Sequence, residues 1–336
     1  MLKFNEQEYR TSADLIRGAR PAAEKAADIF TEQGYSNIIF TAVGGSLAPM
    51  MAIGEIAKQL TTIPVYIEQA GELLVRENVN LTKDSIIVTL SKSGDTKETV
   101  AVAKLLKEKG CRVISFTKNP ESPLALLSDI SVPMLHENGV EYEYMLLYWF
   151  FFRMLSNKGD FADYAEFADQ MMLLPEDLIE VKEQFEPKAK ASAEAYALEP
   201  YQLWIGSGET WGETYLFSMC LLEEMQWIRT KSVTSSEFFH GTIELVDEDT
   251  PVFLVKGEGK CRVIDERVEK FLKQYGKKIV IIDSKDYALK GIDDKYRWLL
   301  APLMISSCLV DRMAFNFEAV TGHDLDFRRY YRQFEY

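Results

Sequence analysis

The chain has 336 residues, a length that suits two domains or one duplicated one. With 47% hydrophobic and 27% charged residues, it has the composition of a globular protein with a sizeable core. A net charge of −14 repels nucleic acid and anionic membranes, so neither is expected as a partner. A phosphate ligand would have to be held locally, by backbone amides and hydroxyls rather than by a basic field. No long apolar run is free of charges, so no membrane span is expected, and Met145–Phe152 (MLLYWFFF) reads as a buried element. The amino terminus, MLKFNEQEYRTS, lacks the apolar core of a signal peptide. Cys111, Cys220, Cys261 and Cys308 are far apart, and the three histidines are dispersed, so no metal spacing exists. The cysteines read as reduced core thiols, which points to the cytoplasm.

Asn37–Leu60 (NIIFTAVGGSLAPMMAIGEIAKQL) runs from a short apolar strand through a glycine turn into a helix. Strands follow at IPVYIE (63–68), SIIVTLS (85–91) and RVISFT (112–117), with a helix over Lys97–Lys109. The stretch 160–200 is polar and helical, with Pro175, Pro187 and Pro200 as expected breaks. Tyr201–Met225 (YQLWIGSGETWGETYLFSMCLLEEM) then repeats the opening plan. Strands TPVFLVK (250–256) and KIVIID (278–283) flank a helix over Asp265–Tyr275. The tail after His323 (DLDFRRYYRQFEY) has neither period, and its aromatics predict that it docks. Strands alternating with helices imply parallel sheets, and mostly unbroken apolar strands imply cover on both faces. The expected fold is α/β, with two doubly wound, flavodoxin-like domains at 1–160 and 201–336 and a helical connector at 161–200.

The strongest local motif is Ser91-Lys92-Ser93-Gly94-Asp95-Thr96. It lies at the carboxyl end of a parallel strand and opens a helix, where the free N–H groups and the helix dipole favour an anion. Ser91, Ser93 and Thr96 supply hydroxyls, and Gly94 allows close backbone approach. Gly45 and Ser46, in the turn after the first strand, would face the same phosphate. The bland alternative is an ordinary helix cap, which needs only one hydroxyl. Walker A and full dinucleotide patterns are both missing. The matching loop of the second half, Lys256-Gly257-Glu258-Gly259-Lys260, has no serine run, so one phosphate site per chain is expected.

The SxSGxT motif after a strand resembles the phosphate-binding signature of the sugar isomerase (SIS) family. The duplicated layout resembles the isomerase half of glucosamine-6-phosphate synthase. MCLLEEMQWIRTKSVTSSEFFHGTIELVDEDTPVF and the terminal RRYYRQFEY are most similar to fructosamine 6-phosphate deglycases. Ser236 and Thr242 stand where that family commonly has Gly and Pro, and Val43 where it often has Cys. The resemblance implies a deglycase that converts a ketosamine 6-phosphate to glucose 6-phosphate and an amino acid. It implies a cofactor-free proton shuttle with Glu224 as the base and His240 as the ring-handling group. It also implies a homodimer, with that histidine contributed by the neighbouring subunit. From the residues alone, Glu223 rivals Glu224, although the apolar neighbours of Glu224 suit a general base. Glu237 is expected either to cap a helix or to orient His240, and Arg328, Arg329 and Tyr330 either to grip a substrate carboxylate or to pin the tail. His136, in HENG, and His323 are the other histidines. Competing readings are an aldose–ketose or aminosugar phosphate isomerase and a sensor without turnover. The synthase itself and a DNA-binding regulator are not expected, since no glutaminase or basic segment precedes the duplicated part.

Overall fold

Runs such as NIIFTA and SIIVTL carry side chains on both faces of a strand, and the structure buries every position of both. The computed structural model describes residues 1–76, 78–137 and 139–334. Asn138 of the HENG segment and the closing Glu335 and Tyr336 of RRYYRQFEY lie outside them. The chain forms two units, one of Glu6–Met172 and one of Met1–Asn5 with Leu173 onward. The stretch 161–200 holds two helices, Tyr164–Met171 in the first unit and Leu174–Tyr196 in the second.

In the first unit, β1 (Asn37–Ala42), β2 (Val65–Gln69), β3 (Ser85–Leu90), β4 (Arg112–Thr117) and β5 (Ile130–Pro133) form one parallel sheet. Its order, β2-β1-β3-β4-β5, is the flavodoxin-like doubly wound arrangement. Successive side chains of a strand point to opposite faces. Ile39, Ile87 and Val113 therefore pack with Val102 and Leu106 of the helix Lys97–Glu108. Phe40 and Phe116 point the other way, their rings 6.0 and 6.1 Å from Phe151 and Phe150. Those rings belong to the helix Glu141–Lys158, in which Met145–Phe152 is wholly buried, as the MLLYWFFF run implied. The helix Glu6–Gln33 covers it in turn, with Phe30 edge-on to Phe150.

The second unit repeats this plan with one strand fewer. β6 (Tyr201–Gly206), β7 (Arg229–Thr234), β8 (Val252–Lys256) and β9 (Ile279–Asp283) pair in the parallel order β7-β6-β8-β9. Trp204 of β6 stacks on Phe253 of β8, ring centres 4.2 Å apart.

Two sequence expectations change here. Pro187 is not a break, because it lies inside the helix Leu174–Tyr196, whose buried apolar face continues through Phe185 and Ala189. The sequence reading also passed over the continuous helical run Asp294–Thr321, which is apolar enough in length and composition to cross a membrane. It is 83% buried within the protein over its most apolar window, which is how a core helix behaves. The four cysteines stand as thiols, with Cys261 only half-buried.

A polar chain underlies the second sheet. The Ser207 hydroxyl accepts the Ser235 N–H at 2.8 Å, and the Ser235 hydroxyl donates to Asp265 at 2.5 Å. Burial pushes the Asp265 carboxyl from its ordinary 3.8 up to about 7, the nearby Glu209 adding to the effect and the Ser235 bond opposing it. Below the ordinary value the folded and unfolded states are both protonated. Above the folded value both are ionised, and the fold carries the cost of a buried charge. Stability therefore falls as pH rises across the window from 3.8 to about 7. The width of that window, at about 1.4 kcal/mol per pH unit, bounds the loss at about 4 kcal/mol. Asp265→Asn should flatten this dependence. Urea unfolding at about pH 4.5 and 7.5 measures it, and equal slopes in both proteins would show that Asp265 ionises as freely folded as unfolded.

Candidate active site

β1 and β3 are hydrogen-bonded neighbours in register from Asn37↔Ser85 to Thr41↔Thr89, so they deliver their following turns to the same edge. This is where the strand order reverses, the crevice in which open α/β sheets bind ligands. The turn after β1 is the tight helical stretch Gly44–Leu47, which carries Gly45 and a half-buried Ser46. After β3 the chain loops through Ser91–Thr96 into the helix Lys97–Glu108. The structure thus brings Gly45, Ser46, Ser91, Ser93, Gly94 and Thr96 to one edge of one sheet.

Within the second turn, the Ser91 hydroxyl accepts the Gly94 N–H at 3.1 Å and lies 3.0 Å from the Thr96 hydroxyl. The Ser93 hydroxyl donates instead to the Asp95 carboxylate. Thr96 occupies the cap position of the helix, yet its side chain makes no capping bond. The Thr96 hydroxyl is therefore not used as an ordinary cap, and the start of the helix carries its positive dipole end. Gly94 has φ 71°, and a Cβ there would stand 2.2 Å from the Ser122 hydroxyl, so only glycine fits. Lys92 ties the loop down by donating to the Glu137 carbonyl at 2.5 Å.

The corresponding place in the second unit is filled from within. Glu209, 2% exposed in the turn after β6, accepts the N–H groups of Glu258 (3.0 Å) and Gly259 (2.7 Å) after β8. A Cβ on Gly257 or Gly259 would fall 2.3 or 2.5 Å from that carboxylate. Burial pushes the Glu209 carboxyl up, while the backbone N–H groups pull it down. Sequence reading noted the missing serines but not this internal anion.

Glu224 follows a stretch of π-helix, Leu216–Glu223, a widened geometry that often marks functional sites. Its carboxylate accepts from the Arg328 Nε at 2.8 Å. The expected largely apolar surroundings thus also include a guanidinium from the tail. Glu223 turns away and accepts from the Thr230 hydroxyl of β7 at 2.6 Å. The helix ends at Trp227, a bulky residue with φ 55°, in a region that costs such side chains about 1–3 kcal/mol. Its indole is held by the tail, 4.3 Å from His323, 5.4 Å from Phe327 and 4.0 Å from the Arg329 guanidinium. Around these residues lies a cavity of about 590 Å³, lined by Glu223, Glu224, Trp227, Arg229, Thr230, Arg328, Arg329 and neighbours.

His240 is exposed and is not among the residues that line that cavity. The short helix Ser235–Phe238 before it is capped by Thr234, which accepts the Glu237 N–H. Glu237 keeps its carboxylate exposed and meets His240 through the backbone, its carbonyl accepting the His240 N–H at 2.9 Å. His136 is buried, its Nε2 3.8 Å from Glu143. Burial, with Glu141 adding and Lys92 opposing, pushes the Glu143 carboxyl up to about 7. Sequence reading missed Glu143, whose only signal is an acid inside an apolar helix. Among the described residues, no group of three or more His, Cys, Asp or Glu is placed to hold a metal ion.

The SIS domain matches residues 32–154 of the chain, the part that carries the first sheet. Fructosamine deglycase FrlB of Bacillus subtilis is 32% identical over 312 residues, spanning 89% of this chain and 92% of that one. Fructoselysine 6-phosphate deglycase of Escherichia coli is 22% identical over 93% of this chain and 90% of its own length. A crystal structure from Bacillus subtilis, provisionally called a phosphosugar isomerase, superimposes with TM-score 0.88 at 28% identity, covering 95% of this chain and 100% of that one. The chain belongs to the SIS family and is an enzyme built from two SIS-type domains.

Proposed function

We propose that the enzyme is a ketosamine 6-phosphate deglycase. The observation that carries this reading is Glu224, a carboxylate fixed by Arg328 in a cavity wall, in a chain similar over most of its length to a fructosamine deglycase. Ser46 and the Ser91–Thr96 turn hold the sugar's phosphate. His240 handles ring opening. Glu224 takes a proton from C1 of the open ketosamine, giving an enaminol. Return of a proton to C2 leaves an imine at C1. Water adds to that imine and releases the amine, leaving an aldehyde at C1 of glucose 6-phosphate. Every step is proton transfer or hydration, so the chain's own acids and bases suffice.

Purified protein supplied with fructoselysine 6-phosphate should release glucose 6-phosphate, followed by a coupled dehydrogenase. Glu224→Gln should lower kcat by about 10²–10⁴, the usual contribution of a positioned base. Thr96→Ala should act mainly on KM, raising it about tenfold through one lost bond to a charged oxygen. Aldose–ketose interconversion of fructose 6-phosphate without amine release would replace the deglycase reading with the isomerase one. Silence on both substrates would favour a sensor.

The exposed position of His240 supports a site completed by a second copy of the chain. Glu224→Gln and His240→Asn, each inactive alone, should recover about a quarter of wild-type activity when co-expressed in equal amounts, since half the dimers then carry one intact site. No recovery in verified mixed dimers would place both groups within one chain.

A further inference from the structure

His240 has no side-chain contact of its own to aim it. It is exposed, and among the described residues its imidazole makes no hydrogen bond. The ring therefore points where its backbone sends it. On one side stands Gly241 at φ 152°, an angle that side chains disfavour, with open space where a Cβ would lie. That glycine serves the backbone angle and not a close approach. On the other side, the turn Ser235–Phe238 is gripped by a single helix, Arg262–Tyr275. The Ser235 hydroxyl donates to Asp265 at 2.5 Å. The Arg267 guanidinium lies 4.0 Å over the Phe239 ring, and Phe271 packs 5.7 Å from Phe238. The Ser207 hydroxyl, just after β6, accepts the Ser235 N–H at 2.8 Å. Ser235 is thus fixed at both its N–H and its hydroxyl. Of these grips the Asp265 bond is the costly one. Asp265 is 1% exposed and Ser235 is fully buried. Glu209 opposes the Asp265 charge, while Lys256 and Arg262 favour it. An apolar pair of similar shape would pack there without burying a charge. A satisfied buried bond to a carboxylate supplies instead one defined geometry.

We infer that Asp265 is a positioning residue for His240, acting through the Ser235 hydroxyl and the turn between them. This rests on the reading of His240 as the group that opens the sugar ring. Buried as it is, Asp265 does not reach the substrate. It fixes the start of a turn whose last hydrogen bond runs from the His240 N–H to the Glu237 carbonyl at 2.9 Å. A carboxylate on the helix Arg262–Tyr275 thereby sets how the imidazole is presented.

The test removes ring opening from the reaction. A phosphate on O6 leaves O5 to close the ring on C2, so a 5-deoxy fructosamine 6-phosphate stays open. On the ring-forming substrate, S235A and D265A should lower kcat by up to about 100-fold, the loss that a misplacement of about 1 Å can bring. On the 5-deoxy compound both should match wild type, as should H240N. D265N, which keeps an acceptor for Ser235, should recover most of the lost rate. Comparing two substrates on one protein separates aim from folding, because a poorly folded variant loses both alike. The imidazole also gives a readout without turnover. The chain has three histidines, so in spectra of isotope-labelled histidine the signal missing from H240N is that of His240. It should shift or broaden in S235A and D265A and return in D265N, while the signal of the buried His136 stays in place. A His240 signal that neither variant moves would overturn the proposal in every case. Where H240N itself distinguishes the two substrates, equal loss on both in S235A and D265A would overturn it too. If wild type turns over neither compound, or H240N fails to distinguish them, the functional reading falls, and the His240 signal alone decides whether Asp265 positions the ring.

Discussion

An acidic chain can hold an anion only where short-range donors outweigh its long-range repulsion. With a net charge of −14, this protein is under that constraint wherever it would hold an anion. The flavodoxin-like order meets it by geometry. At the β1/β3 reversal two turns emerge together, and the helix after β3 turns its N–H groups toward the crevice. Those amides carry partial positive charge that costs no basic residue. The Ser91 and Thr96 hydroxyls lie 3.0 Å apart at the same point, and Gly94, which tolerates no side chain beside Ser122, keeps the loop tight.

The second sheet shows the same geometry satisfied from within. Its turns after β6 and β8 still present backbone N–H groups. The chain satisfies them with Glu209, whose carboxylate lies 2.7 Å from the Gly259 nitrogen. An internal carboxylate does the job an external phosphate would do, and Gly257 and Gly259 leave just enough room for it. The duplicated plan thus leaves the turns after β1 and β3 open to a ligand and closes those after β6 and β8 with a side chain. The polar neighbours of that joint, Asp265 with Ser235 and the Arg297–Glu258 pair at 2.7 Å, are then part of the packing of the second unit.

The parts of the fold legible in sequence are those whose chemistry is local. β1, β3, β4, β6, β8 and β9 are apolar runs covered on both faces, and such runs announce themselves. β7 (RTKSVT) is a half-exposed edge strand without an apolar run, and β5 has only four residues, so neither carried a signal. Pro187 looked like a break because the local rule ignores how much buried surface a continued helix gains. The Ser91–Thr96 turn was legible because its hydroxyls lie within six consecutive residues. The pairing of Glu224 with Arg328 spans 104 positions, and the capture of Glu258 and Gly259 by Glu209 spans 49 and 50, so only the folded chain reveals them. The family resemblance supplied Glu224 where residue types alone left it level with Glu223. The structure separates the two, sending one to Thr230 and the other to Arg328.

That separation has a single local cause. The π-helical stretch Leu216–Glu223 widens the backbone up to the first of the two acids, and the Ile228 N–H closes it by reaching back six residues to the Leu222 carbonyl at 2.9 Å. To make that closure the chain places Trp227 in the left-handed region, which a bulky side chain resists. Contacts with the tail offset the strain. His323 and Phe327 pack on the indole, Arg329 covers it, and the Gln226 amide donates to the His323 carbonyl at 2.6 Å. Straightening the turn would remove the platform under Arg329 and move Glu224 away from Arg328 together. One irregular turn therefore fixes the direction of the proposed base and the docking of the segment that faces it, so base and tail cannot be arranged independently.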